Sequence, residues 1–181
     1  IGTDVGQRSC WLCHGTVRLI GQSRSPETVW PYIHRQAEAH LMTPPVLLDT
    51  GPLVAFLNRR DRYHEWALSQ WAGAKPPFLT CEAVLAEACF LLRRSSGGSQ
   101  AVMQLLARGI VASPFRLDEE PSAVAKLLFR YAAVPMSLAD ACLVCMAERY
   151  PSGIVMTLDR DFRIYRKHGR QVIPVRMPDE R

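Results

Sequence analysis

Residues 46–55 read VLLDTGPLVA, and this stretch decides the fold class of the chain. The continuous apolar run of residues 46–48 is typical of a buried strand. Asp49 follows the run directly, and Pro52 suits the first turn of a helix because its missing N–H needs no partner there. The stretch therefore predicts a buried strand that leads into a helix, with a carboxylate at the junction.

After residue 45 the chain continues to alternate short apolar runs with helical patterns. Further strands are predicted at residues 153–157 and 172–175, with residues 110–115 as a candidate and residues 78–79 too short to assign. Helices are predicted over residues 61–72, 81–94 with Thr80 as cap, 100–108, 121–132 and 137–150. Strands separated by helices form βαβ units around a parallel sheet. We therefore expect an α/β protein with a three-layer α/β/α fold and a central, mostly parallel sheet.

The composition is that of a globular protein, since 48% of the 181 residues are hydrophobic and 22% are charged. No apolar run approaches the roughly 18 residues of a transmembrane helix, and residues 1–41 lack the pattern of a secretory signal. We therefore expect a cytoplasmic protein with no membrane partner. The 22 basic residues outnumber the 17 acidic ones, and the net charge of +5 mildly favours anionic partners such as nucleic acid.

Residues 1–41 differ from the rest of the chain because they show no sustained helical or strand period. We expect them to be an N-terminal extension, untranslated or disordered in the native protein, and residues 42–181 to form one domain. One hypothesis is that translation begins at Met42. Residues 10–14 have the Cys-x-x-Cys-His spacing of haem attachment, but haem is not expected without export. Cys142 and Cys145 share a helix face, where core packing is favoured over zinc binding.

Three acidic residues stand where a solvated surface does not explain them well. Asp49 and Asp159 follow predicted strands, and ligands of parallel α/β sheets bind outside the carboxyl ends of the strands. A turn or a helix cap also explains each of them alone. Asp140 lies three residues after Ser137 at the start of a predicted helix. A capping box explains this spacing equally well, and it is compatible with a carboxylate presented at a binding site.

Glu87 is the fourth candidate, because it falls among apolar residues of its predicted helix. It lies next to Ala88, inside an apolar stripe formed by Val84, Ala88, Leu91 and Leu92. A buried glutamate is rare unless it is paired, so we expect Glu87 to face a positive charge or a metal ion. Four carboxylates without a His or Cys cluster favour Mg²⁺ or Mn²⁺. Such an ion would keep the carboxylates ionised and activate water for phosphodiester hydrolysis.

Four segments of the chain resemble the acidic motifs of PIN-domain ribonucleases. They are LLDTGPLVA at residues 47–55, LAEA at 85–88, SLADA at 137–141 and TLDRDF at 157–162. The resemblance to the VapC-like toxins of bacterial and archaeal toxin–antitoxin pairs is close, and it covers about residues 45–176. Each motif alone is a weak signal, but the ordered set at ordinary spacing is specific. The resemblance does not extend to residues 1–41.

This resemblance implies a PIN-like nuclease domain over residues 42–181, with endoribonuclease activity that depends on Mg²⁺ or Mn²⁺. Asp49 and Asp140 would be the principal metal ligands, and Glu87 and Asp159 would complete the catalytic site. Supporting roles fall to Thr50, Thr157, Ser137 and Asp161, and Asp159 is favoured over Asp161 as the residue that faces the metal. Family members commonly form homodimers and are silenced by an antitoxin that occupies the active-site groove, so we expect both partners.

A basic cluster follows the last acidic motif and consists of Arg160, Arg163, Arg166, Lys167 and Arg170. It either binds RNA backbone beside the metal site or forms a solvated face that pairs with Asp161 and its neighbours. Two alternatives to a toxin also stay open. One is a PIN-type nuclease of RNA maturation or decay without an antitoxin, and the other is a module that binds RNA or protein without cleavage.

Overall fold

Seven short strands are present in the computed structural model, which describes residues 43–179. In chain order they are β1 (Val46–Leu48), β2 (Phe78–Leu79), β3 (Val111–Ala112), β4 (Ile154–Met156), β5 (Arg166–Lys167), β6 (Gln171–Val172) and β7 (Val175–Arg176). Five of them form one sheet in the order β3, β2, β1, β4, β7, and every neighbouring pair is parallel. The predicted parallel sheet is confirmed. The expectations for residues 1–41 lie outside the described residues.

Helices on either side of this sheet complete the three-layer architecture, which is also confirmed. Within residues 43–179 they are α1 (Thr50–Leu57), α2 (His64–Gly73), α3 (Glu82–Leu91), α4 (Gly98–Ala107), α5 (Pro121–Arg130) and α6 (Leu138–Arg149). Short 3₁₀ turns occur at Leu92–Arg94, Leu117–Glu119 and Arg160–Arg163. None of the helices in this part of the chain is long and apolar enough to cross a membrane.

β1 is the central strand, and its register aligns the ends of its neighbours. Leu47 pairs with Leu79 of β2 and with Val155 of β4. Parallel strands in register end at the same edge of a sheet, so the residues that follow β1, β2 and β4 lie side by side. These residues are Asp49, Thr80 and Thr157. The carboxyl edge of the sheet therefore brings distant parts of the chain together. Asp49 and Thr157, for example, are more than a hundred residues apart in sequence.

The longest helix, α6, lies in the core, and all of its residues from Ala139 to Ala147 are buried. Cys142 and Cys145 occupy two of these core positions, and every cysteine in the described part of the chain is a free thiol. The prediction that these two cysteines pack in the core is therefore confirmed. Burial on all sides fixes α6 firmly, so its first turn is a rigid base for Asp140.

The start of α3 differs from the prediction. Cys81 occupies the N-cap position, and the expected cap residue Thr80 does not bond to the helix. The Thr80 hydroxyl donates instead to the carbonyl oxygen of Leu48 over 2.7 Å. A buried hydroxyl requires a partner, and the last carbonyl of β1 supplies it across the sheet edge. The tertiary contact thus replaces the local cap.

The prediction of one strand over residues 172–175 is wrong, because the structure has two strands there and they belong to different sheets. β6 pairs antiparallel with β5 in a hairpin, whereas β7 runs parallel to β4. Pro174 separates them because it has no N–H for the ladder, although its carbonyl accepts the Val155 N–H over 2.9 Å. The hairpin loop comprises the three residues 168–170. The φ angles of 49° at His168 and 75° at Gly169 suit the tight turn in which the Arg170 N–H donates to the Lys167 carbonyl over 3.3 Å.

Candidate functional site

Asp49 is buried at the carboxyl end of β1 with both of its carboxylate oxygens hydrogen-bonded. The Thr50 N–H donates to Oδ1 and the Thr157 hydroxyl donates to Oδ2, each over 2.6 Å. Burial raises the pKa of Asp49 to about 7 against the lowering effect of these two bonds, and the charges of Asp140 and Glu87 also raise it. A nearby cation would reverse this shift, because it would stabilise the ionised carboxylate.

Glu87 lies at the rim of the same site, where the Thr50 hydroxyl donates to its Oε2 over 2.9 Å. Its side chain is exposed, so the prediction that Glu87 is buried in the apolar stripe is wrong. The stripe was also wrong at Leu91, which is 50% exposed. Each residue advances by about 100° around a helix, so Glu87 and Leu91, four residues apart, share the margin of the buried face. From that margin Glu87 reaches the carboxyl edge of the sheet.

Asp140 is buried in the first turn of α6, which it also caps. Its Oδ2 accepts the Ser137 N–H over 2.8 Å, while the Ser137 hydroxyl oxygen accepts the Asp140 N–H over 3.1 Å. The capping box indicated by the spacing is confirmed. Burial raises the pKa of Asp140, the bonds with Ser137 lower it, and the charges of Asp159 and Glu87 raise it. One side chain therefore fixes the helix start and interacts with the other carboxylates.

Thr157 connects the first and last acidic motifs. Its hydroxyl donates to Asp49 over 2.6 Å, and its hydroxyl oxygen accepts the Asp159 N–H over 2.9 Å. Gly51 allows this segment to approach the start of α1, since a Cβ at position 51 would lie 3.1 Å from the Leu158 side chain. Position 51 thus has a packing reason to be glycine, and the approach brings Asp159 to the edge that holds Asp49.

The surroundings of Asp159 and Asp161 bear on which of the two belongs to the site. Asp159 is exposed and caps the following 3₁₀ turn, where its Oδ1 accepts the Asp161 N–H over 2.9 Å. The charge of Asp159 raises the pKa of the Asp140 carboxyl, after burial and the opposing bonds with Ser137. This coupling favours Asp159 as the member of the site and leaves Asp161 beside it.

We call Asp49, Glu87, Asp140 and Asp159 the acidic cluster. Their oxygen donors suit Mg²⁺ or Mn²⁺. Within residues 43–179, however, no three His, Cys, Asp or Glu side chains stand close enough to enclose a metal ion. Mg²⁺ is usually held by one or two carboxylates and keeps several waters. The donor set therefore fits a partly hydrated cation better than an ion enclosed by protein ligands alone.

The basic cluster divides into two kinds of residue. Arg166 donates from Nη1 to the carbonyl oxygens of residues 163–165 over 2.7 to 2.8 Å, and the buried Lys167 donates from Nζ to the Pro151 carbonyl over 2.8 Å. These two side chains hold the local backbone. Arg160 and Arg163 are exposed on the 3₁₀ turn that Asp159 caps, so their side chains can be reached from solvent.

Two residues in the region of the site were not predicted from the sequence to contribute to it. Thr80 fixes the end of β1, and the signal for it was present, because both β2 and β4 are followed directly by a threonine. Tyr165 is fully buried behind the last acidic motif. No sequence pattern marks it, because its position depends on how the 3₁₀ turn folds back.

Comparison with known proteins identifies the family. The model of the PIN domain family matches residues 46–167, which is more than half of the chain. The chain therefore belongs to the PIN domain family of nucleases, and the predicted resemblance is confirmed. The match spans β1 to β5 and includes all four members of the acidic cluster.

A solved structure shows the same fold. The crystal structure of Mycobacterium tuberculosis VapC20, a toxin that cleaves the sarcin-ricin loop, superposes with a TM-score of 0.55 and 23% sequence identity. The similarity covers 61% of this chain and 86% of that one. No curated protein matches the chain by sequence. At this identity the comparison extends to the fold.

Proposed function

We propose that the chain is a Mg²⁺- or Mn²⁺-dependent endoribonuclease whose active site is the acidic cluster. One observation carries the proposal: carboxylates from four separate motifs lie near one another at the carboxyl edge of the sheet, where burial raises the pKa values of Asp49 and Asp140 and the charges of the neighbouring carboxylates raise them further. Carboxylates that repel one another need a proton or a cation as compensation. At neutral pH a partly hydrated divalent cation bound beside the cluster can supply this compensation, and such an ion is suited to phosphodiester hydrolysis.

In this mechanism the chain sets the geometry of its carboxylates before the substrate binds. Thr157 and Thr50 hold both oxygens of Asp49, so its orientation is fixed. The capping box fixes Asp140 in the same way. Glu87 and Asp159 lie at the exposed rim, where they can meet solvent and substrate. A bound divalent ion supplies the activated water and the positive charge that stabilises the phosphate in the transition state.

The test is RNA cleavage by the wild type, Asp49→Asn and Asp140→Asn, with Mg²⁺ or Mn²⁺ and with a chelator. Each substitution keeps the size of the side chain and removes its charge. We expect each to reduce the rate about a thousandfold, because metal-ion stabilisation of the transition state contributes several kcal/mol. The matched control is Asp118→Asn, at an exposed acid paired with Arg116, which should cleave at the wild-type rate. Cleavage that survives both site substitutions or the chelator refutes the proposal.

We further propose that this nuclease is the toxin of a type II toxin–antitoxin system. The support is the fold that it shares with VapC20, which is a toxin. Controlled expression of the wild type should arrest growth, whereas Asp49→Asn should not. A small protein encoded beside the gene should bind the chain and stop cleavage. Cleavage without growth arrest would instead favour a nuclease of RNA maturation or decay.

We also propose that the protein is a homodimer. Large apolar side chains are exposed on the adjacent helices α3 and α4, where Phe90 is 61%, Leu91 50% and Met103 48% exposed. Neighbouring exposed apolar groups on a soluble domain are typical of a protein interface. Sedimentation velocity should give the mass of two chains, and the mass of one chain across the micromolar range would contradict the proposal.

A further inference from the structure

Phe129 is the most exposed large apolar side chain in the part of the chain that the structure describes, with 87% of its surface open to solvent. It lies in the last turn of α5, whose buried residues are Val124 and Leu127. The ring of Phe129 has no aromatic or cationic neighbour among the described residues. The exposed ring of Phe90, by contrast, is covered by the Arg93 guanidinium at 3.9 Å from its centroid. The faces of the Phe129 ring are therefore available to a ligand.

The pairing of α5 with α6 places Phe129 at the end of the domain that holds the acidic cluster. Glu120, the N-cap residue of α5, forms an ion pair with Arg149, the last residue of α6. The start of α5 therefore lies beside the end of α6, as in an antiparallel helix pair. Residues 131–137 connect the two helices at the opposite end. The last turn of α5 thus lies at the same end as the first turn of α6, which carries Asp140.

A second set of contacts connects the end of α5 with the last acidic motif. Tyr131 follows α5 directly, and its ring centroid lies 5.0 Å from that of Tyr165. The Tyr165 N–H donates to the Asp161 carbonyl oxygen over 3.1 Å, and the Asp161 N–H donates to Oδ1 of Asp159 over 2.9 Å. A series of direct contacts therefore leads from the end of α5, two residues after Phe129, to a member of the acidic cluster.

The side chains next to Phe129 are basic. Lys126 lies three residues before it, on the same side of α5, and Arg130 follows it. Both are exposed, and neither forms an ion pair within residues 43–179. The Arg130 guanidinium lies against the hairpin loop, since a Cβ at Gly169 would be 2.9 Å from its Nη1, and Arg170 of the basic cluster belongs to that loop. The ring is thus flanked by cations that continue into the basic cluster.

We propose that Phe129 is a stacking platform for an unpaired base of the RNA, with Lys126 and Arg130 in contact with the neighbouring phosphates. This inference rests on RNA binding, which is part of the proposed function. An exposed aromatic ring beside cations suits a single strand, because every base has a face that can stack on it and every linkage is anionic. The bases of RNA loops and ends are free to stack in this way. Phe129 thereby favours RNA that has an unpaired base near the cleaved bond.

The experiment measures RNA binding by fluorescence anisotropy in the full-length Asp49→Asn background. One probe is a single-stranded oligouridylate of about 12 nucleotides, and the other is a ribose-phosphate chain of the same length without bases. Phe129→Leu keeps an apolar side chain but removes the ring, so it should weaken binding of oligouridylate about tenfold and leave binding of the chain without bases unchanged. Phe129→Trp keeps a ring and should bind oligouridylate at least as tightly as the background.

The salt dependence of binding separates stacking from charge. Phe129→Leu removes no charge and should leave the logarithmic slope unchanged, whereas Lys126→Gln with Arg130→Gln should reduce it by about 0.7 for each lost phosphate contact. Val172→Ala is the control, because it also removes apolar surface at an exposed residue, which is 67% exposed, and should bind both probes as the background does. Phe129→Leu and Val172→Ala should both unfold at the temperature of the background, since neither side chain is buried.

If Phe129→Leu binds oligouridylate as tightly as the background, or weakens both probes equally, the inference is overturned and the ring is left as a contact for a protein partner. Either result leaves the proposed function in place. If Phe129→Leu weakens oligouridylate alone but the wild type cleaves no RNA with Mg²⁺ or Mn²⁺, the proposed function fails and the inference stands for a module that binds RNA without cleavage. If the background binds neither probe, the inference is overturned.

Discussion

Thr157 shows how a single hydroxyl can control a carboxylate. It donates to Asp49 and accepts from the Asp159 N–H, so Thr157→Val breaks both connections while it keeps the shape of the side chain. We expect Mn²⁺ affinity and the cleavage rate to fall about 10- to 100-fold, as for other partners that orient metal ligands. Thr80→Val is the control, because the Thr80 hydroxyl bonds to the Leu48 carbonyl and touches no carboxylate. Equal losses of affinity in both variants would contradict a specific role for Thr157.

Asp49 gives the metal-free protein a pH dependence of defined sign. Its pKa is raised from 3.8 to about 7, so the folded state keeps a proton that the unfolded chain loses. The contribution of Asp49 to stability therefore falls as the pH rises from about 4 to about 7 and is constant beyond that window. Urea unfolding in EDTA measures this as the difference between the wild type and Asp49→Asn. A difference that is flat across the window, or that moves in the opposite direction, would show that the carboxyl titrates normally.

We expect the arginines around the last acidic motif to have two different roles, one in stability and the other in RNA binding. Arg166 holds three backbone carbonyls, so Arg166→Gln should lower the free energy of unfolding. Arg160→Gln and Arg163→Gln should instead reduce the salt dependence of RNA binding, by about 0.7 in the logarithmic slope for each lost phosphate contact. Fluorescence anisotropy in the Asp49→Asn background measures binding without cleavage. If the variant that combines Arg160→Gln with Arg163→Gln binds RNA with an unchanged salt dependence, these two residues belong to a solvated face.

At the scale of elements, the start of α6 couples folding to the site. Ser137→Ala removes the acceptor of the Asp140 N–H, and loss of an N-cap of this kind costs about 1 kcal/mol of stability. The variant also leaves Asp140 less firmly oriented, so we expect weaker Mn²⁺ binding as well. Urea unfolding and calorimetry measure the two effects. Ser122→Ala, at an exposed serine of α5 that does not cap its helix, should change neither quantity.

The sequence was informative wherever an element is determined by its own residues. The run from Val46 to Leu48 became β1 with the predicted bounds, and the spacing of Ser137 and Asp140 became a capping box. Both features depend on short-range chemistry. The order of the four acidic motifs also identified the family. Two of these motifs follow strands β1 and β4, and the other two lie on helices α3 and α6.

Features that depend on tertiary contacts were not predictable in this way. Glu87 lies at the exposed rim of the site and not in the buried face of α3. That face includes Leu85, and only the packing of the helix reveals this. Thr80 bonds across the sheet to β1 in preference to its own helix. The last apolar run alone reads as one strand, but Val172 pairs with Arg166 of β5 whereas Val175 pairs with Val155 of β4, so the run is divided between two sheets. In each case a contact distant in sequence outweighs the local pattern.

At the scale of the whole molecule, the acidic cluster is a concentration of carboxylates in an otherwise basic protein. The chain carries a net charge of +5, yet Asp49 and Asp140 are both buried near other carboxylates, and the pKa of each is raised. Burial is the main cause of both raised pKa values and repulsion among the carboxylates adds to it, and a cation bound there, as proposed above, would offset both effects. Under the proposed function, the acidic cluster is the place where stability and activity are opposed, as is common for functional sites.

A bound cation should therefore stabilise the entire fold. A ligand that binds only the folded state adds about 2.7 kcal/mol of stability at a hundred times its dissociation constant. We expect Mn²⁺ at that excess to raise the unfolding temperature of the wild type at pH 7.5, and EDTA to reverse the rise. The effect should shrink below pH 6, because protons then compete for Asp49, whose pKa is about 7. Asp118→Asn should respond as the wild type does, and Asp140→Asn should lose most of the response. An equal rise in all three proteins would place the ion elsewhere on the molecule.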